Sequence, residues 1–117
     1  MYAPCGHEPG MVRRAETNDI EVLNTYGPPL GVVQDFRYAA YRTHLSAYDT
    51  LLLYTDGITE AGRNRRELLG VEGLIQCFTQ LPRDLSVENA AGWIVEQVNS
   101  YAGGFRDDVC LVVARLE

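Results

Sequence analysis

Two apolar runs in this chain each carry acids at one end, and that pairing restricts the fold more than any other feature. Thr50 to Tyr54 (TLLLY) runs straight into Thr55-Asp56-Gly57, and Arg106-Asp107-Asp108 runs straight into Val109 to Leu116 (VCLVVARL). Unbroken apolarity of this length reads as a strand covered on both faces. If the two strands are antiparallel neighbours, the end of the first lies beside the start of the second. Asp56, Asp107 and Asp108 then meet at one edge of a sheet. Two carboxylates about 4 Å apart repel by roughly 4 kcal/mol at an effective dielectric near 20. A shared proton or a cation relieves that repulsion. Oxygen donors without histidine or thiolate suit Mg²⁺ or Mn²⁺, and Gly57 permits a close backbone approach to such an ion. Asp-Gly alone is a common turn; the matching ends of two apolar strands are what raise it above one.

The other elements follow from period and punctuation. Gly10 to Arg14 and Ile20 to Leu23 are expected as short strands joined by a turn over Ala15 to Asp19. Tyr26 to Gly31 (YGPPLG) is a rigid turn, because its prolines fix φ and its glycines admit left-handed backbone. Phe36 to Leu45 alternates imperfectly and reads as a strand with a bulge or an exposed edge. Ser46 to Asp49 is a turn. Val71, Leu74, Ile75, Phe78 and Leu81 then form one face of a helix stopped by Pro82. Ser86 is placed to cap a second helix, with Glu88 in its first turn. Val87, Ala90, Ala91, Ile94, Val98 and Tyr101 supply its stripe, and Gly103-Gly104 its stop. Strands, two helices and a last strand make an α+β layout, with helices packed on the outside of a mostly antiparallel sheet.

Composition excludes several functions. The net charge of −6 leaves no basic stripe to neutralise phosphates, which argues against nucleic-acid binding. All ten basic residues are arginine, so a Walker-A lysine, a Schiff-base lysine and a lysine general base are unavailable. Cys5, Cys77 and Cys110 form no CxxC pair, so neither a zinc knuckle nor a disulfide framework is indicated. Cys77 and Cys110 read as small buried hydrophobes. No apolar run approaches 18 residues and no signal peptide is seen, so a cytoplasmic chain without a membrane span is expected.

LLLYTDGITEAG followed by GGFRDDVCLVVARL resembles the C-terminal half of a PPM-type, metal-dependent serine/threonine phosphatase, in the bacterial stage II sporulation protein E (SpoIIE) branch. Cys5-Gly6-His7-Glu8-Pro9 resembles that branch's AGHNP turn, with Glu8 in place of the asparagine. Tyr26 to Val32 resembles its G-x-PLG segment, and Ala47 to Thr50 its PGD-T strand entry. The resemblance implies part of an αββα phosphatase sandwich, in which residues 1–117 are the C-terminal portion and the N-terminal portion, with its bridging aspartate, lies outside. It implies metal ligands at Asp56 and Asp107, backbone or outer-sphere roles for Gly57 and Asp108, and His7 and Glu60 at the site's margin. The complete family domain holds two Mg²⁺ or Mn²⁺ ions that activate water toward phosphoserine or phosphothreonine; one or none is expected here. The implied partner is a phosphoprotein, often an anti-sigma-factor antagonist. The second reading is a non-catalytic half-domain that binds a partner or forms a homodimer covering an exposed sheet. A haloacid-dehalogenase-type mechanism is excluded, since it needs D-x-D and a lysine and Ile58 stands at the second acid position. Arg63, Arg65 and Arg66 read as a solvated loop.

Overall fold

The computed structural model describes residues 1–23 and 26–117. Its elements are β1 (Met11–Arg13), β2 (Ile20–Val22), β3 (Thr50–Tyr54), α1 (Asp56–Thr59), α2 (Gly70–Thr79), α3 (Val87–Ala102) and β4 (Leu111–Arg115). The strands form one antiparallel sheet in the order β2-β1-β3-β4. β3 and β4 are neighbours, with Tyr54 opposite Leu111 and Thr50 opposite Arg115. The α+β architecture and the antiparallel pairing of the two apolar strands are therefore as expected.

The helices cover one face of the sheet. Met11, Leu52 and Tyr54 pack with Leu74 and Phe78 of α2 and with Ala90, Ile94 and Val98 of α3, and all of these are buried. Leu74, Phe78 and Leu81 of the first predicted stripe and Ala90, Ile94 and Val98 of the second build this core, whereas Tyr101, placed in the second stripe, is 38% exposed. Gly103 ends α3 with φ 72°, and its N–H donates to Asn99 O at 2.7 Å, the left-handed stop that only a residue without Cβ adopts cheaply. Ser86 occupies the cap of α3, but its hydroxyl makes no capping bond; only its carbonyl accepts, from Asn89 and Ala90 N–H.

Two expectations about the sheet are corrected. β3 is not covered on both faces: Thr50, Leu52 and Tyr54 are buried, whereas Leu51 is half-buried and Leu53 is 39% exposed. β4 is an edge strand, and its Val112 is 51% exposed. The second face opens on a cleft of about 640 Å³ whose walls include Val12, Leu23, Leu51, Leu53 and Val112. These apolar residues border the cleft, and Met1 to Pro4, Thr43 and Leu45 line it as well. Cys110, read as buried, is exposed and lines the same cleft; Cys77 is half-buried, and burial pushes its thiol up to about 11.

Phe36 to Leu45 is not a strand. Within it only Tyr41 pairs, exchanging N–H···O bonds of 2.7 and 2.8 Å with Tyr2. Phe36 and Tyr38 instead fold onto the proline turn, while Tyr41 stacks on Tyr2 at 5.6 Å. Phe36 and Tyr38 stack edge to face at 4.8 Å, and the Tyr38 hydroxyl donates to Pro28 O at 2.8 Å. The strand Ile20 to Leu23 ends at Val22, and the two residues beyond Leu23 lie outside the described ones.

Asp49 ties the strand entry together. Its side chain is buried and accepts from Ala15 N–H (2.9 Å), Ser46 N–H (2.9 Å) and Arg14 Nη1 (2.9 Å), so one carboxylate holds the β1–β2 turn against the turn leading into β3. The Ala15 N–H, with help from Ser46 and Arg14, holds its carboxyl below the usual carboxylate range. A depressed folded-state pKa stabilises the fold above the unfolded value, near 3.9, and that stability is lost as pH falls through the folded value. Asp49→Asn is therefore expected to flatten the acid limb of urea-unfolding midpoints measured from about pH 6 to pH 3. An unchanged limb would assign the acid sensitivity elsewhere.

Candidate metal and phosphoryl site

The edge where β3 ends and β4 begins is built from short-range geometry. Thr55 closes the ladder: its N–H donates to Cys110 O at 3.1 Å, and its hydroxyl accepts from Cys110 N–H at 3.1 Å. One residue later the chain turns into α1, so the Thr-Asp-Gly segment is the start of a single helical turn rather than a plain reverse turn. Asp56 is its first residue and is exposed.

Gly57 is buried against the opposing segment. A Cβ there would overlap the Asp108 carbonyl oxygen and lie 3.0 Å from its carbon. Only glycine allows the two acidic turns to approach this closely. Asp107 and Asp108 are both exposed, and Asp107 turns one carboxylate oxygen back to accept from Asp108 N–H at 2.7 Å. The pairing of β3 with β4 thus brings Asp56-Gly57 and Asp107-Asp108 to one edge of the sheet.

A cleft of about 180 Å³ lies alongside, lined by Gly57, Glu60, Arg65, Leu68, Arg106 and Asp107. Glu60 sits at the C-terminal cap of α1, not in a first turn, so helix-dipole complementarity does not explain it; its place on the cleft wall beside Asp107 does. Arg65 reaches the same wall, although the sequence suggested only a solvated loop. Arg63 is exposed, as a solvated loop implies, with its guanidinium 5.7 Å from the Tyr101 ring centroid. Arg106 had no signal beyond its position next to Asp107.

His7 is exposed and bonds through Nδ1 to Glu8 O at 2.9 Å. It lies on the rim of the large apolar cleft, not on the Asp107 wall. The residue beside it is the one that reaches the acidic edge. Glu8 Oε2 accepts from the Thr59 hydroxyl at 3.3 Å, and the same hydroxyl lies 3.3 Å from Asp56 O. Glu8 also faces Tyr54, whose hydroxyl is buried with no hydrogen-bond partner; burial, and then the Glu8 charge, push that phenol up to about 12. The acid standing where the related turn has asparagine was the available signal for Glu8.

Among the described residues, no three His, Cys, Asp or Glu side chains stand close enough to enclose a metal ion. The donors present are carboxylates and backbone carbonyls. Oxygen donors of this kind are the type that Mg²⁺ takes, an ion that keeps several of its waters; Asp107 lines the cleft of about 180 Å³, and Asp56 is not among its lining residues. The donors do not form a closed cage.

A family model for stage II sporulation protein E (SpoIIE) matches residues 1–117, the whole chain. The chain belongs to the SpoIIE family. It is 39% identical to phosphoserine phosphatase RsbU of Bacillus subtilis (strain 168) over 59 residues, covering 50% of this chain and 18% of RsbU. Its fold is that of PP2C-type phosphatase domains. It superposes on the phosphatase domain of the cell fate determinant SpoIIE from Bacillus subtilis (Mn presoaked) with a TM-score of 0.70 at 22% identity, covering 97% of this chain and 48% of that one. It superposes on the RsbU and RsbW domains of Rv1364c from Mycobacterium tuberculosis with a TM-score of 0.75 at 20% identity, covering 96% and 32%. This SpoIIE-family chain therefore spans less than half the length of these three proteins. Among the described residues, no helix is long and apolar enough to cross a membrane.

Proposed function

We propose that this chain is the C-terminal portion of a bacterial protein serine/threonine phosphatase domain. Its substrate class is phosphoserine or phosphothreonine in a cytoplasmic regulatory protein such as an anti-sigma-factor antagonist. The observation that carries this reading is the approach of the Asp56-Gly57 turn to Asp107-Asp108 across the β3–β4 pair, in a chain of the SpoIIE family. RsbU is a phosphoserine phosphatase by name, and the SpoIIE phosphatase domain was soaked in manganese, which supports the substrate class and the metal.

In this reading Asp56 and Asp107 hold one Mg²⁺ or Mn²⁺ ion, and the second ion of a complete domain depends on residues outside this chain. A divalent ion there supplies charge that offsets a phosphoryl group and makes an adjacent water more acidic. The chain's own residues do the rest. Gly57 keeps the two acidic turns in contact, and the Asp108 N–H fixes one oxygen of Asp107. Arg65 and Arg106, on the cleft wall beside Asp107, attract the phosphoryl dianion. Glu8 and Thr59 brace the α1 turn that presents Asp56.

The test is hydrolysis of p-nitrophenyl phosphate with and without Mn²⁺. Mn²⁺-dependent turnover is expected, and Asp56→Asn lowers it on the order of 10²-fold, as loss of one strong electrostatic contact to the reacting group does. Turnover indifferent to Mn²⁺ or to Asp56→Asn would refute the reading. The open apolar cleft favours a second one, a non-catalytic half-domain that pairs with a partner or a second copy to cover its sheet. A stable dimer without hydrolysis would establish that alternative, and an active monomer would eliminate it.

A further inference from the structure

The opposite end of the sheet carries a second polar cleft that the acidic edge does not explain. Arg13 closes β1, Thr50 opens β3 and Arg115 closes β4, and the register places Arg13 and Arg115 on either side of Thr50. β3 advances about 3.3 Å per residue, so this end lies roughly 13 Å from Tyr54 and the acids beyond it. A cavity of about 210 Å³ is lined there by Arg13, Ala15, Asn18, Tyr48, Arg83 and Arg115.

Three arginines thus line one cleft in a chain whose net charge is −6. Among the described residues none of the three makes an ion pair; both ion pairs found there belong to Arg14, with Glu21 and Asp49. Arg13 is buried and donates to the carbonyls of Phe78 (3.1 Å) and Leu81 (2.6 Å). Burial and the charges of Arg115 and Arg83 hold it below the usual arginine range, with no carboxylate acting in the other direction. Arg115 donates Nε–H to Thr50 Oγ1 (3.3 Å) and Nη1–H to Leu85 O (3.0 Å), which leaves Nη2 buried with no acceptor. Asn18 gives its amide N–H to Thr79 O (3.3 Å), and its Oδ1 is buried with no donor.

We propose that this cleft binds a hydroxylated tetrahedral oxyanion, free hydrogen phosphate, between Arg13, Arg83 and Arg115. Arg115 and Asn18, which both line the cleft, keep one donor and one acceptor unpaired, and a buried polar group left unpaired is destabilising. Hydrogen phosphate supplies acceptor oxygens for Arg115 Nη2 and an O–H for Asn18 Oδ1, and its charge offsets the three guanidiniums. Water supplies both hydrogen bonds but no charge. Sulfate supplies charge but no O–H. A phosphoserine monoester near pH 7.5 is mostly the dianion and has also lost its O–H. The cleft therefore discriminates for free phosphate, which is the inorganic product of the reaction proposed above, although the assignment rests on the cleft alone.

The experiment is titration calorimetry of the intact protein at about pH 7.5 in EDTA, at constant ionic strength maintained with chloride. Orthophosphate is expected to bind saturably. Sulfate and phosphoserine are each expected to bind at least about fivefold more weakly, and Arg83→Gln to weaken orthophosphate about tenfold. Arg83 is exposed, so this variant tests the cleft without disturbing the core. Asp56→Asn is expected to leave phosphate binding unchanged, which separates this site from the metal edge. Absence of saturable heat, sulfate or phosphoserine binding as tight as orthophosphate, an Arg83→Gln variant with wild-type affinity, or loss of binding in Asp56→Asn would each overturn the proposal.

Discussion

Phe78→Ala is expected to cost about 3–5 kcal/mol, a large part of the roughly 5–15 kcal/mol that holds a domain of this size together. The ring is fully buried in the third turn of α2, between the helical layer and the sheet. Two further connections pass through the same residue. The Arg13 guanidinium lies 5.5 Å from the ring centroid, and the Phe78 carbonyl accepts from Arg13 Nη1. Truncation thus leaves a cavity and also removes the aromatic face from a buried cation. Urea unfolding checks this: Phe78→Leu is expected to recover more than half of the loss, because it refills most of the volume. A Phe78→Ala cost under about 1.5 kcal/mol would show that the core collapses around the gap.

Gly57→Ala is expected to cost about 3 kcal/mol, at the upper end of overpacking, and to lower the melting temperature on the order of 10 °C. The added methyl collides with the Asp108 backbone, not with a side chain that could rotate away. Relief requires the α1 turn to part from the start of β4, so the same substitution is expected to separate Asp56 from Asp107 and weaken any response to Mn²⁺. Gly92 is the control. It lies inside α3, where an added methyl would meet nothing within 4 Å. Gly92→Ala is expected to stabilise by about 0.5–1 kcal/mol through helix propensity and a less flexible unfolded chain. Equal melting temperatures for the two variants would refute the close-contact explanation.

The acidic edge was legible because each of its parts is local. A strand that is apolar to its last residue and then meets Asp-Gly, and another preceded by Asp-Asp, need only pair antiparallel to put these segments at one edge of the sheet, and Tyr54 opposite Leu111 is that pairing. Glu8 was not legible as part of that edge. It acts through a contact with Thr59, 51 residues away, and no periodicity reports such a contact. The arginine cleft was hidden for the same reason. Arg13, Arg83 and Arg115 lie on three separate segments, and nothing in the spacing says that no carboxylate meets them.

Local geometry was written in the order of residues: the stripes of α2 and α3, the left-handed stop at Gly103, the turn over Ala15 to Asp19, and the succession of strands and helices. These depend on which φ, ψ and faces a short segment prefers. Coverage was settled only by the packing of distant segments. Leu51, Leu53 and Val112 are as apolar as Leu52, yet they line an open cleft, and Phe36 and Tyr38 go to a proline turn instead of a ladder. Apolar character states that a residue favours burial; which surface arrives to bury it depends on parts of the chain far away in residue number, and only the folded arrangement brings those together.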